Sequence, residues 1–282
     1  MNNNKQMRVE KESLYNLKSL IDVYEEVAAT RMQKVREAVL SSRQFLESLL
    51  VVFQKVKAAY KIADPMAGTL VRNGKTVAVF VSANAGLYGE IVNKTFELFV
   101  KRVQEDPGVS VVVLGKLGVK MMAERIPNVL YNYYDFSDEG VDMDSFDIIM
   151  RYLIQFEKLV VFHGQFRSTA DQVPVATGVS GDAIQVSEEI KAEATKNLYI
   201  FEPSVKDIVR VFEGEILASI FEQTLHESQL SKFASRMLSL DRAMDNIDKR
   251  LVNVNMQELR FKHKQKNARQ MATISGLSLW NK

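Results

Sequence analysis

The chain has 282 residues, enough for one large domain or two small ones, and its 46 % hydrophobic content suits a protein that buries a core. A net charge of +2 sets up no global field for nucleic acid, and the lack of cysteine excludes structural disulfides and thiolate metal sites. No apolar run reaches the roughly 18 residues of a membrane span, and the polar start MNNNKQMRVEKE has neither an apolar signal core nor transit-peptide character, so a cytoplasmic protein with an intact N-terminus is expected.

The first proline is Pro65 and the first glycine Gly68, so everything before Asp64 can be one helix. Its apolar seam is read as Leu14, Leu17, Ile21, Tyr24, Ala28, Arg31, Val35, Ala38, Ser42, Phe45, Leu49, Val52 and Val56. That is heptad spacing, with polar intrusions at Arg31 and Ser42. The adjacent acids Glu25 and Glu26 point about 100° apart on a helix and read as a solvated face, as do Glu188 and Glu189.

From Pro65 to about Pro203 the pattern changes. Lys75–Ser82 is an apolar, β-branched run of strand length, followed by a helix starting near Leu87. Ser110–Gly115 is a second buried strand, Lys116–Arg125 a short helix and Val129–Tyr134 an edge strand. Asp135–Asp147 is an acidic loop leading into a helix over Phe146–Phe156, and Lys158–Phe166 is a third strong strand. Gln172–Val186 has the alternation and turn signals of a weaker strand or hairpin. Strands alternating with helices predict an open, Rossmann-like parallel sheet covered by helices.

The run Glu215–Ser275 contains neither glycine nor proline. Leu230, Phe233, Met237, Leu240, Met244, Ile247, Leu251 and Val254 step alternately by three and four, an a/d seam of about four heptads. A helix over the run would be roughly 90 Å long. The economical arrangement is a long antiparallel coiled coil of the N- and C-terminal helices, left-handed because the repeat is near seven. The division expected is therefore a helix over 1–64, an α/β domain over 65–205 and a second long helix over 206–282. Gly276 is expected to stop that last helix. Beyond Phe261 the seam gives out into a basic helix with Arg260, Lys262, Lys264, Lys266 and Arg269, and nothing in the chain is expected to pack on it.

The search for chemistry is negative. Gly86 and Gly89 after the first strand do not make the three-glycine dinucleotide fingerprint, and the GKLGVK run (Gly115–Lys120) fails the spacing of a phosphate-binding loop. Both glycine pairs read as tight strand-to-helix turns. His163, at a strand end and read as a surface or turn residue, His226 and His263 lie on separate elements without a second ligand at metal spacing. No nucleophile–base set can be assembled, so no catalytic, cofactor-binding or metal-binding residue is expected. The basic helix end lacks the interleaved aromatics of a nucleic-acid site and the apolar face of a membrane-surface helix.

Several segments nevertheless resemble one family in order along nearly the whole chain: Val27–Met32 (VAATRM), Ser82–Asn93 (SANAGLYGEIVN), Tyr199–Val209 (YIFEPSVKDIV), Glu227–Asn246 and Ile274–Gly276. In these and in its layout, the chain resembles the gamma subunits of F-type ATP synthases. The resemblance implies a non-catalytic, central-stalk rotor that couples rotation of a membrane ring to conformational cycling of an alpha/beta hexamer. The implied partners are the alpha and beta subunits, an epsilon subunit and a c-ring, with no nucleic acid and no direct membrane insertion. The implied location is peripheral, on the cytoplasmic face of a bacterial inner membrane. Carried over by resemblance, Tyr24, Glu25, Glu26, Arg31, Lys262, His263, Lys266, Arg269 and Gln270 face the hexamer. Tyr199, Phe201 and Glu202 face the ring and epsilon. The sequence departs from the family at Tyr24–Glu26, acidic rather than basic, and at Lys262–His263, where the family has Arg-Gln; Arg269–Gln270 supplies that pair only with a gap. No cysteine-containing insertion marks it as a chloroplast-type gamma. A gamma-like rotor of a specialised F-type-like ATPase, a coiled-coil adaptor with an α/β head, and a small α/β enzyme with helical extensions are the alternatives.

Overall fold

In a computed structural model, residues 2–63, 73–138, 140–179, 202 and 204–280 are described. The elements in chain order are α1 (Asn2–Ala63), β1 (Thr76–Val81), α2 (Ile91–Glu105), β2 (Ser110–Leu114), α3 (Lys116–Arg125), β3 (Asn132–Tyr134), α4 (Met143–Leu153), β4 (Lys158–Phe166), β5 (Gln172–Val179) and α5 (Val205–Trp280). They form two compact units, Met1–Val27 with Met237–Lys282, and Ala28–Arg236. Both long helices contribute to both units.

The larger unit is built on a five-stranded sheet in the order β3-β2-β1-β4-β5. The first four strands in that order are mutually parallel, and β5 runs antiparallel to β4. The expected open sheet is therefore mixed. The cause is local: only the Arg167–Asp171 turn separates β4 from β5, too little chain for a parallel crossover. Pro174 sits in β5, where an outer strand tolerates its missing N–H. The part of the expected hairpin after Val179 lies outside the described residues.

The strands bury alternate residues on two faces. Ala78, Phe80, Val111, Val113 and Phe162 meet Phe96 and Phe99 of α2, Met122 of α3, Val35 and Val39 of α1, and Leu230 and Phe233 of α5. Val77, Val79, Val112, Leu114 and Val161 meet Phe146, Ile149 and Leu153 of α4, and Leu217, Phe221 and Leu225 of α5. Helix α5 thus covers one face with residues 217–225 and reaches the other with 230–233. Between these levels it passes the carboxyl ends of β1 and β4 at close range: a Cβ on Gly164 would lie 2.6 Å from Ser231 Oγ. A third cluster, centred on Phe53, Val56, Val209 and Ile216, joins α1 to the start of α5 within the same unit.

Local chemistry sets the ends of the helices. Asp142 accepts from the Ser145 N–H at 3.1 Å and caps α4. Ser204 accepts from the Asp207 N–H at 3.1 Å and donates to its carboxylate at 2.6 Å, a reciprocal cap at the start of α5. Helix α2 starts at Ile91 rather than near Leu87, because Leu87 (φ +66°) and Gly89 (φ +59°) are left-handed and cannot join a right-handed helix. Gly276 does not end α5, which continues to Trp280. An isolated interior glycine costs only about 1 kcal/mol relative to alanine and does not break a helix by itself.

His163 lies within β4 with 1 % of its surface exposed, not at a turn. The Thr177 hydroxyl of β5 meets Nε2 at 2.8 Å, and Nδ1 donates to the Gly164 carbonyl at 3.1 Å. A polar residue survives there because neighbouring groups satisfy both ring nitrogens.

In the smaller unit, α1 and α5 pair antiparallel. Leu14, Ile21, Leu240, Met244, Ile247 and Leu251 form its apolar cluster. Ion pairs flank it: Lys18 Nζ to Asp248 Oδ1 at 2.6 Å, Lys11 to Glu258 at 3.7 Å, and Arg250 Nε to Glu10 Oε1 at 2.7 Å. The α5 seam read from sequence is buried or half-buried throughout. On α1 only one of the two predicted rows is. Leu14, Ile21, Ala28, Val35, Ser42, Leu49 and Val56 turn inward, but Leu17, Tyr24, Phe45 and Val52 are exposed. The second inward row is Lys11, Lys18, Glu25, Met32, Val39, Leu46 and Phe53, one residue further along each heptad. A three-step and a four-step both keep heptad spacing, and only the partner's position chooses between them.

Candidate functional site

Beyond the sheet's apolar layers, the larger unit concentrates buried charge at the carboxyl edge of its parallel strands, where open α/β sheets bind ligands. Three segments converge there: the loop after β1 (Ser82–Glu90), the loop after β3 (Asp135–Asp138) and residues 229–236 of α5. The loops are closely interlocked. Asp138 accepts the Asn84 and Ala85 N–H groups at 2.7 and 2.9 Å. Asn84 donates to Asp135 at 2.7 Å and accepts the Lys116 N–H at 2.8 Å. Gly115, at φ +92°, lies so close to Ala83 that an added Cβ would meet its backbone at 2.8 Å. Of the two glycine pairs expected to form tight strand-to-helix turns, Gly89 and Gly115 have positive φ, whereas Gly86 does not and Gly118 lies within α3.

Into this edge α5 inserts two cations four residues apart. Lys232 Nζ donates to the Ser82 carbonyl at 2.9 Å and to Asp138 Oδ1 at 3.1 Å. Its side chain is 7 % exposed and that of Asp138 8 %. Arg236 donates to the carbonyls of Leu87 at 3.1 Å and Gly86 at 2.8 Å, and its guanidinium carbon lies 4.1 Å from the Tyr88 ring centre. Burial pulls the Lys232 ammonium below its ordinary pKa, against the opposing pull of Asp138. Burial, reinforced by the Asp138 charge, pushes the Tyr88 phenol up to about 12. At the surface, the hydrogen bond from Asn84 and then that from Lys116 hold Asp135 below the usual carboxylate value.

An open cleft of about 690 Å³ adjoins this cluster, lined among others by Arg31, Tyr88, Asp135, Asp142 and Arg236. Beside the cleft, the Lys232 ammonium is bonded to the chain itself. Among the described residues no group of three or more histidines and acids could hold a metal, and no helix is long and apolar enough to cross a membrane.

The residues singled out from sequence do not form one site. Tyr24 and Glu26 are exposed and Glu25 half-buried on α1 of the smaller unit. From the Lys18–Asp248 pairing they lie opposite α5 near residue 241, roughly 30 Å along that helix from residue 262. Lys262, His263, Lys266, Arg269 and Gln270 are exposed, as is every side chain described from 262 to 275. Lys262 pairs with Glu258 one turn back at 2.6 Å. Arg31 belongs to the larger unit and lines the open cleft. Glu202 is exposed beside an apolar groove with Ile208, Val211 and Phe212, while Tyr199, Phe201, Glu188 and Glu189 lie outside the described residues.

Sequence reasoning missed Asp138 and Lys232. The available signal was a lysine inside a run, Leu230–Ala234, otherwise fit for burial; Arg236 entered only through family resemblance.

The class defined by the fold is an α/β protein in which two long helices that pair antiparallel bracket, in sequence, a small five-stranded mixed sheet. The ATP synthase family model matches residues 3–271, and the chain belongs to that family. It is 25 % identical over 242 residues to the ATP synthase gamma chain of Pelotomaculum thermopropionicum, covering 83 % of this chain and 84 % of that one. The gamma chain of Flavobacterium johnsoniae is 24 % identical over 255 residues, with 87 % of each covered. Among solved structures, a chain of the Euglena gracilis mitochondrial ATP synthase matches with a TM-score of 0.62 at 13 % identity, covering 97 % of this chain and 94 % of that one. A chain of the Tetrahymena thermophila mitochondrial ATP synthase central stalk and c-ring matches with a TM-score of 0.57 at 16 % identity, covering 79 % of this chain and 99 % of that one.

Proposed function

We propose that the chain is the gamma subunit of an F-type ATP synthase, the central-stalk rotor coupling a membrane ring to a catalytic hexamer. The observation that carries this reading is the family match from residue 3 to residue 271, which takes in both long helices and the sheet. ATP chemistry then belongs to the beta subunits. An asymmetric rotor presents a different face to each catalytic site, and each site is biased toward a different conformation by differential binding.

In this reading Tyr24, Glu25, Glu26, Arg31, Lys262, His263, Lys266, Arg269 and Gln270 face the alpha and beta subunits. Tyr199, Phe201 and Glu202 face epsilon and the c-ring. The exposure of residues 262–275 supports the C-terminal members of the first set, since a helix left uncovered by the other described residues offers that face to a partner. Attachment is peripheral, on the cytoplasmic face of a bacterial inner membrane, and the three segments 1–64, 65–205 and 206–282 act as first stalk helix, foot and second stalk helix.

Co-expression with alpha and beta subunits tests the proposal. The expected result is a co-purifying complex whose ATP hydrolysis depends on this chain. A stable chain that never associates with them overturns it.

A further inference from the structure

We propose that the buried Lys232–Asp138 pair is a torsional latch, fixing the rotational setting of α5 on the α/β unit so that torque enters the helix without slip. The inference rests on the rotor reading and names the residues that would transmit its torque.

Apolar packing is non-directional. Phe221 and Leu225 on one sheet face, and Leu230 and Phe233 on the other, hold α5 against the sheet but fix its rotation only loosely. A desolvated ion pair behaves differently. Turning α5 about its axis would withdraw the Lys232 ammonium from the Ser82 carbonyl and from Asp138 and leave a buried cation without its acceptors. The resistance is directional even where the net contribution to folding is small.

The placement suits the task. Asp138 is itself fixed by two backbone N–H groups of the loop after β1, so the lysine is tied to a rigid part of the sheet rather than to a mobile side chain. The pair spans 94 residues of sequence and joins α5 to the loops after β1 and β3 together. Lys232 lies one turn before Arg236, where the α5 residues of the larger unit end. Arg236 on the same face adds two bonds to carbonyls of the β1–α2 loop.

The test uses the assembled synthase in vesicles, reading the membrane potential generated by ATP with a voltage-sensitive dye, per ATP hydrolysed. Lys232→Met combined with Asp138→Asn removes both charges while the amide oxygen at 138 still accepts from the loop, a change expected to preserve folding. The latch predicts that this complex assembles but its potential per ATP falls by about two- to tenfold, the range expected for loss of one coupling element. Ser219→Ala, buried on α5 more than three turns before Lys232 and outside the latch, should keep the wild-type ratio. If the double variant does not assemble, Asp138→Asn, which keeps the volume and can still accept from the loop, is read in the same way, with the same loss expected. A wild-type ratio in the latch variant, or an equal loss in Ser219→Ala, overturns the latch and leaves the rotor reading standing. Failure of the wild-type chain to assemble with alpha and beta overturns both.

Discussion

Helices α1 and α5 pair in both compact units, but by different means. In the larger unit both inward rows of α1 are mainly apolar, with Val35, Leu49 and Val56 on one and Met32, Val39, Leu46 and Phe53 on the other. In the smaller unit one row is apolar (Met7, Leu14, Ile21) and the other is Lys11, Lys18 and Glu25. There the helices are held by a single apolar stripe and flanking ion pairs, while Leu17, Leu20, Val23, Tyr24 and Val27 stay exposed. Heptad spacing therefore does not determine how much burial a helix pair achieves. The larger unit packs α1 through two largely apolar rows and the smaller through one.

The sharpest way to break this comparison is Phe53→Ala in the larger unit. Phe53 is fully buried beside Phe212, and its truncation should cost about 3–5 kcal/mol in denaturant unfolding. Ile247→Ala in the smaller unit removes a residue from a single stripe that can relax toward solvent, so it should cost less, about 2 kcal/mol. Equal losses at the two sites would erase the distinction. Gln229→Met should raise stability by about 1 kcal/mol, because both amide atoms of the buried Gln229 lack a hydrogen-bond partner among the described residues.

His163 gives the larger unit a pH dependence. Burial holds its imidazole below the ordinary value, so the folded chain binds a proton less readily than the unfolded chain. Its contribution is complete above the unfolded pKa of about 6.5 and is lost as pH falls from there toward the folded value. Melting temperatures at pH 7.5 and 5.5 should differ less for His163→Gln than for wild type; equal differences would refute the assignment. The smallest effect belongs to Lys18→Ala, which breaks a solvent-exposed pair. Its shift in melting temperature should be slight and vanish in high salt.

The strands were legible because buried parallel strands are continuous apolar, β-branched runs: Lys158–Phe166 is observed with the bounds read from sequence, and β1 and β2 to within a residue at either end. The two long helices were legible from the absence of proline and the heptad step. The family resemblance was legible because its matches run in order along the chain. The candidate polar site was not legible, since Asp138 lies in a loop that reads as a solvated acidic stretch and its partner is on another element.

The sequence by itself thus determined which segments are helix and strand, the antiparallel fold-back of its two ends, and the family. These follow from local periodicity and turn chemistry, which act over a few residues. Only the tertiary structure decided which row of α1 faces inward, that His163 is enclosed by β5, and that Lys232 meets Asp138. Each of these depends on where a distant element comes to lie, and neither spacing nor residue type encodes that position locally.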